Sequence, residues 1–137
     1  MREYKKIIVA IGSNYDQKQN VDYGKKQLKS ILGDSAYFSK EVWTHPVGIK
    51  SDNFLNCICV AETHHTPGQL HCAFKRIEKQ CGRCIKNNRE GKITLDLDIL
   101  QYGEEKFHTD DWKRDYVTQL IEDYENGNNR FVIDPTL

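Results

Sequence analysis

The sequence has no excess of charge of either sign: 20 lysines and arginines stand against 20 aspartates and glutamates. That balance gives no global attraction to nucleic acid or to an anionic membrane. No apolar run is long enough to span a bilayer, and the opening MREYKKIIVAIGSN lacks the apolar stretch and cleavage site of a signal peptide. A cytoplasmic protein is the expectation. Repeats, low-complexity tracts and a linker are also missing. Residues 1–137 therefore read as a single domain, large enough to bury a core.

The cysteines do not form an even set. There are five, Cys57, Cys59, Cys72, Cys81 and Cys84, and without an export signal reduced thiols are expected. Cys81-Gly82-Arg83-Cys84 has the C-x-x-C spacing that suits zinc or redox work. No second such motif follows, and this one ends a predicted helix rather than starting it, where a thiol is activated. Two free thiols are the simpler reading. A zinc or redox centre that adds His64, His65 and His71 is the alternative. Cys57 and Cys59 alternate along a strand and read as small core residues.

What is present is a regular alternation of strands and helices. Tyr4 to Ile11 is β-branched and apolar, and stops at Gly12-Ser13-Asn14. Asn20 to Leu32 is an amphipathic helix closed by Gly33. Ala36 to Trp43 predicts a strand, broken by Thr44-His45-Pro46-Val47-Gly48. Phe54 to Thr63 predicts another. Thr66-Pro67-Gly68-Gln69 is a capping box with proline at the first helical position. The helix it opens carries Leu70, Ala73, Phe74, Ile77 and Cys81 on one face. Gly82 to Lys92 reads as a polar, basic loop, followed by a strand from Ile93 to Tyr102. Thr109 to Tyr124 predicts a last helix, with Trp112, Tyr116, Leu120 and Tyr124 four apart and Asn126-Gly127-Asn128 as its end. The final RFVIDPTL is a short edge strand or a tail. The order is βαββαβ plus a C-terminal helix, an α+β, ferredoxin-like antiparallel sheet with helices packed on it.

Inside the strand KITLDLDIL, Asp96 and Asp98 interrupt an apolar run. Side chains at i and i+2 share a face, roughly 6.6 Å apart. Bare carboxylates at that spacing repel by about 2 kcal/mol at an effective dielectric near 20, and burial adds a desolvation cost. A divalent cation or a solvated sheet face can each account for the pair. Aspartate is depleted in strands, which favours the cation. Magnesium suits carboxylates that leave positions for water and phosphate oxygens, and two such ions clamping a polyphosphate fit the geometry. The loop just upstream supplies Arg83, Lys86, Arg89 and Lys92, cations that suit charge developing on a transferring phosphoryl group. Read blandly, the same four are a solvated loop.

Several strings now line up. Ile11-Gly12-Ser13-Asn14, Thr44-His45-Pro46-Val47-Gly48, Phe54-Leu55-Asn56, Arg76-Ile77-Glu78 with Gly82-Arg83, and Thr94-Leu95-Asp96-Leu97-Asp98-Ile99 together resemble the 6-hydroxymethyl-7,8-dihydropterin pyrophosphokinase family. The match covers about residues 7 to 103. The resemblance implies a ferredoxin-like enzyme of folate biosynthesis that moves pyrophosphate from ATP to the pterin's hydroxymethyl oxygen and releases AMP. It implies two magnesium ions on Asp96 and Asp98. Pterin contacts would come from Thr44, Val47, Phe54, Asn56 and Gly12, with Asn14 helping to shape the pocket floor. Glu78 and Ile99 would sit near ATP.

The sequence departs from the family at four places. Ile93 and Ile85 stand where it has arginines, Glu90 where an aromatic closes over the pterin, and HTDDWKRDYVTQL replaces a segment carrying a Pro-His pair and an R-x-F turn. Arg83, Lys92 and Arg89 are the candidate catalytic cations and Lys86 a candidate ATP contact, with Lys92 and Lys86 standing in for the lost charge although lysine lacks arginine's two-pronged fork. Arg114 and Tyr116 are the candidates to replace the missing arginine and aromatic, Arg114 for ATP and Tyr116 for the pterin. The expected partners are the two small-molecule substrates, without nucleic acid or membrane, in a monomer or weak dimer. The alternative is a non-catalytic homologue that binds a pterin or nucleotide or acts as an interaction module.

Overall fold

The computed structural model describes residues 3–46, 48 and 51–133, with side chains through residue 127. Its centre is strand β1 (Lys5–Ser13), whose alternation explains both layers of the protein. Ile7, Val9 and Ile11 enter one core, while Ile8 and Ala10 pack into the other. A strand buried on both sides has no polar face, which is why it reads as an unbroken apolar run.

β1 pairs antiparallel with β4 (Phe54–Thr63) on one side and β5 (Asp96–Tyr102) on the other. The outer edge of β4 carries β2 (Tyr37–Phe38) and β3 (Val42–Thr44), and β5 carries β6 (Glu105–Lys106). The single strand expected from Ala36 to Trp43 is thus split. Ser39 makes the break tolerable: its N–H donates to the Ile58 carbonyl and its hydroxyl accepts the Ile58 N–H, both at 2.9 Å. A side chain replaces one ladder bond, and no buried donor is orphaned.

Helices α1 (Gln17–Leu32) and α2 (Pro67–Gln80) cover one face of the sheet, with Val21, Leu28, Leu70, Phe74 and Ile77 packed on Val9, Cys57 and Leu97. The capping box forms as expected. Thr66 Oγ1 accepts from the Gln69 N–H at 3.2 Å, and Gln69 Oε1 accepts from the Thr66 N–H at 2.9 Å. Cys57 and Cys59 are fully buried, and burial pushes both thiols up to about 12. The strand order β2-β4-β1-β5 is the α+β, ferredoxin-like arrangement the element order predicts.

The segment 82–92, expected as loop, contains a short helix α3 (Ile85–Arg89) capped by the Cys84 thiol. Strand β5 starts at Asp96 rather than Ile93. The last helix, α4 (Asp115–Ile133), starts later than expected, after a 3-10 turn at Asp111–Lys113, and runs through Asn126-Gly127-Asn128. Residues 130–133 are therefore helical rather than an edge strand or tail, and 134–137 lie outside the described residues. No helix among the described residues is long and apolar enough to cross a membrane.

α4 covers only part of the second face: Val117, Leu120 and Ile121 pack on Ile8, Ile58, Val60 and Leu100. The end of the sheet bearing Gly12, Asn56 and Asp96 stays open. A register shift in the β1–β5 pairing makes Leu100 an extra residue. Its carbonyl accepts the Trp112 indole N–H at 3.0 Å and the Phe107 N–H at 2.9 Å. The bulge thereby pins the turn after β6 beside the open end, a common use of bulges near functional sites.

Candidate active site

Antiparallel register lines up Val42, Asn56, Gly12 and Asp96 across four strands, and beside them Ile58, Ala10 and Asp98. The middle strand contributes only a glycine and an alanine. A hollow results, with the carboxylates on one side and Asn56 and Phe54 on the other. Gly12 leaves room for Asn56, because a β-carbon there would stand 3.0 Å from Asn56 Oδ1 and press that amide aside by a few tenths of an ångström. Asn56 is 5% exposed, and its amide nitrogen donates to the Thr44 hydroxyl at 2.7 Å. That bond turns the amide nitrogen toward β3, leaving the oxygen beside Gly12.

Asp96 and Asp98 share the open face, as the alternation predicts. Each has a basic side chain beside it. Arg83 donates to Asp96 Oδ1 at 3.2 Å and to the Leu95 carbonyl at 2.9 Å, and His108 Nε2 stands 3.7 Å from Asp98 Oδ1. Burial, the adjacent Asp96 and then Glu78 push the Asp98 carboxyl up to about 8. The pair therefore resists double ionisation, and a cation at the ridge would relieve it.

Glu78 lies behind this ridge and is 2% exposed. It accepts the Leu97 N–H at 2.8 Å and pairs with Lys75 at 3.2 Å. The strand edge beside the aspartates is thus held by a buried carboxylate that is enclosed by protein. Asn14, also buried, clamps the other end of the approach: its amide donates to the Gly91 carbonyl at 2.7 Å and accepts the Ile93 N–H at 2.6 Å.

The opposite wall comes from the segment that departs most from the expected pattern. Helix α4 begins only at Asp115, so Arg114 is extended and stands just before it, its carbonyl accepting the Val117 and Thr118 N–H groups. Arg114, Tyr116 and Asp111 line a cavity of about 160 Å³ together with Gly12, Phe54, Asn56, Asp96 and Asp98. The Arg114 guanidinium lies 4.8 Å from the Tyr116 ring centre. Burial raises the Tyr116 hydroxyl's pKa. A second cavity of about 420 Å³ adjoins Asp98 and is lined by Ile99, Leu97, Phe74, His71, Lys75 and His108.

The other loop cations do not join the ridge. Lys92 pairs with Glu90 at 3.2 Å and lies 5.1 Å from the Tyr15 ring centre. Lys86 and Arg89 are exposed on α3, and Ile85 is 71% exposed. Among the described residues, none of these three cations is ion-paired with Asp96 or Asp98. Val47 lies outside the described residues. Sequence reasoning passed over Asp111 and His108. The only signal for them was their place in the rewritten segment, between β6 and the Arg114-x-Tyr116 pair.

The chain matches the family described as 7,8-dihydro-6-hydroxymethylpterin-pyrophosphokinase (HPPK) over residues 8–136. It is 35% identical over 130 residues to the 2-amino-4-hydroxy-6-hydroxymethyldihydropteridine pyrophosphokinase of Haemophilus influenzae, covering 93% of this chain and 76% of that one. It is 30% identical over 130 residues to the folate synthesis bifunctional protein of Arabidopsis thaliana, covering 88% of this chain and 27% of that protein. With the folic acid synthesis protein of Dictyostelium discoideum the identity is 32% over 128 residues, covering 85% and 19%. The chain thus spans a small part of the length of those two relatives.

Proposed function

This chain belongs to the 7,8-dihydro-6-hydroxymethylpterin-pyrophosphokinase family, and on that premise we propose that it transfers pyrophosphate from ATP to the hydroxymethyl oxygen of 6-hydroxymethyl-7,8-dihydropterin, releasing AMP for folate synthesis. One observation carries the reading: a single small cavity joins the Asp96–Asp98 ridge to a wall of Gly12, Phe54, Asn56, Arg114 and Tyr116. A flat heterocycle needs aromatic faces and a few fixed polar groups. Phe54 and Tyr116 supply the faces. Asn56, oriented by Thr44, supplies the polar group that reads the pterin edge, with the backbone of β3 beside it.

The donor set at the ridge fits magnesium, since two carboxylates on one face, one of them reluctant to ionise, gain from a hard cation. Asp96 and Asp98 would hold two ions, with Arg83 fixing the orientation of Asp96. Magnesium held there would supply neutralisation of the triphosphate's charge. ATP lies along the ridge with its base toward the cavity lined by Ile99, Phe74 and His71. Arg114 then reaches the polyphosphate from the pterin side, the work expected of the arginines replaced by Ile85 and Ile93. Catalysis of this kind is positioning plus charge neutralisation, and both are built on strand ends here. The enzyme works in the cytoplasm as a monomer or weak dimer.

The exposed Ile85 and the outward Lys86, Arg89 and Lys92 favour a second reading, a non-catalytic pterin-binding homologue. Incubation with magnesium, ATP and the dihydropterin separates the two. AMP and the pterin diphosphate form under the first reading. Pterin binding without AMP establishes the second.

A further inference from the structure

Three carboxylates line the small cavity, and two of them are engaged. Asp96 accepts from Arg83 at 3.2 Å, and Asp98 faces His108 at 3.7 Å. Asp111 differs: among the described residues its side chain has no hydrogen bond and no ion pair. Arg114, three residues on, lies over the Tyr116 ring instead. Asp111 is nevertheless held in place. Its N–H donates to the His108 carbonyl at 2.8 Å, and the next residue, Trp112, is bonded to the Leu100 and Phe107 carbonyls at 3.0 and 3.1 Å.

Its position lies between the two halves of the site. Asp111 lines the same small cavity as Asp96 and Asp98 of the ridge and as Arg114 and Tyr116 of the ring-binding wall. The hydroxymethyl group is the part of the pterin that must span those halves. A half-buried carboxylate left without a partner on the wall of a substrate cavity is stabilised when a bound group offers it a donor. The triphosphate offers acceptors only. Arg114 in the same cavity is turned over the Tyr116 ring, so the substrate's hydroxyl is the donor that the reaction itself brings to this junction. Asp96 and Asp98 are poor bases once their lone pairs face cations, which leaves Asp111 as the free acceptor.

We propose that Asp111 is a catalytic residue of the transfer, accepting the hydroxymethyl O–H and taking its proton as the oxygen bonds to the β-phosphorus of ATP. The oxygen's electron pair forms the new P–O bond. The bond from the β-phosphorus to the oxygen it shares with the α-phosphorus breaks, AMP leaves with that pair, and the proton passes from Asp111 to solvent. The inference rests on the pyrophosphokinase reading above.

The test is the steady-state kinetics of Asp111→Asn, Asp111→Ser and Asp111→Glu beside the wild type, with thermal midpoints. Because the side chain makes no bond in the fold, all three variants are expected to melt near the wild type. Loss of a general base removes on the order of a hundredfold or more from kcat. The Asn and Ser variants should show that loss with the KM for the pterin within about threefold, and Glu should recover part of the rate. Retained kcat in the Asn and Ser variants, a loss confined to KM, or no recovery with Glu overturns the assignment of Asp111. If the wild type itself makes no AMP, the pyrophosphokinase reading fails and this role falls with it.

Discussion

The side-chain oxygen of Asn56 lies 3.0 Å from the point a β-carbon on Gly12 would occupy. The two residues face each other directly across β1 and β4, so a side chain at position 12 would intrude on the floor of the cavity. Gly12→Ala forces Asn56 away from its bond to Thr44 or fills the floor. A misfit of this size in a binding pocket costs about 1–3 kcal/mol. Pterin affinity measured by calorimetry is expected to fall about tenfold or more, while ATP-analogue binding changes little.

Asp96→Asn and Asp98→Asn remove donors that nothing else at the ridge replaces. Each is expected to lower kcat by about a hundredfold or more. The two differ in stability. Asp98 is the strained member of the pair, so Asp98→Asn should melt at or above the wild-type temperature in metal-free buffer. Asp96→Asn weakens the Arg83 bond by removing the carboxylate's charge and should not.

The raised Asp98 carboxyl also gives metal-free protein a stability that depends on pH. Burial is the first cause and Asp96 the second. A folded pKa above the unfolded value means that the native state holds the extra proton. The stabilisation is therefore complete below the ordinary value of 3.8 and is lost as pH rises toward about 8. Denaturant midpoints in chelator should fall across this window, and less steeply in Asp98→Asn. Magnesium with a nucleotide should restore the lost stability at the upper end.

The loop cations should behave unequally. Lys92 is occupied by Glu90 and the Tyr15 ring, so Lys92→Ala is expected to change kcat by less than about fivefold, the range of a screened surface charge. Arg114 lines the cavity itself, and Arg114→Ala should cost on the order of a hundredfold. Equal effects in the two variants would show that the loop rearranges to bring Lys92 in.

Asn14→Ala removes the two side-chain bonds to Gly91 and Ile93 and leaves only the backbone bond from its own N–H to the Ile93 carbonyl. Leaving a buried N–H unpaired costs about 1–3 kcal/mol. Hydrogen exchange at Ile93 is expected to accelerate, with the thermal midpoint falling.

Much of the fold could be read from side-chain alternation and capping. β1 and β4 are continuous apolar strands, and the Thr66 box starts α2 where the spacing places it. The shared face of Asp96 and Asp98 follows from the strand period alone. The misreadings arose where one side chain made a tertiary bond in place of a backbone partner. Ile93, Thr94 and Leu95 look like strand, but the Ile93 backbone is bonded to Asn14. Trp112, Tyr116, Leu120 and Tyr124 have one helical period, yet Trp112 reaches the same core from a 3-10 turn, which hid the break at Arg114. The charges of the 82–92 segment were visible, but not their directions, because the Glu90 and Tyr15 contacts set where Lys92 points.

The most direct measurement is of manganese, as a paramagnetic substitute for magnesium, bound to the protein with a non-hydrolysable ATP analogue and the dihydropterin. The account expects two ions per wild-type chain in the ternary complex and their loss when Asp96 and Asp98 are both replaced by asparagine. Unchanged manganese binding in that double variant would contradict it.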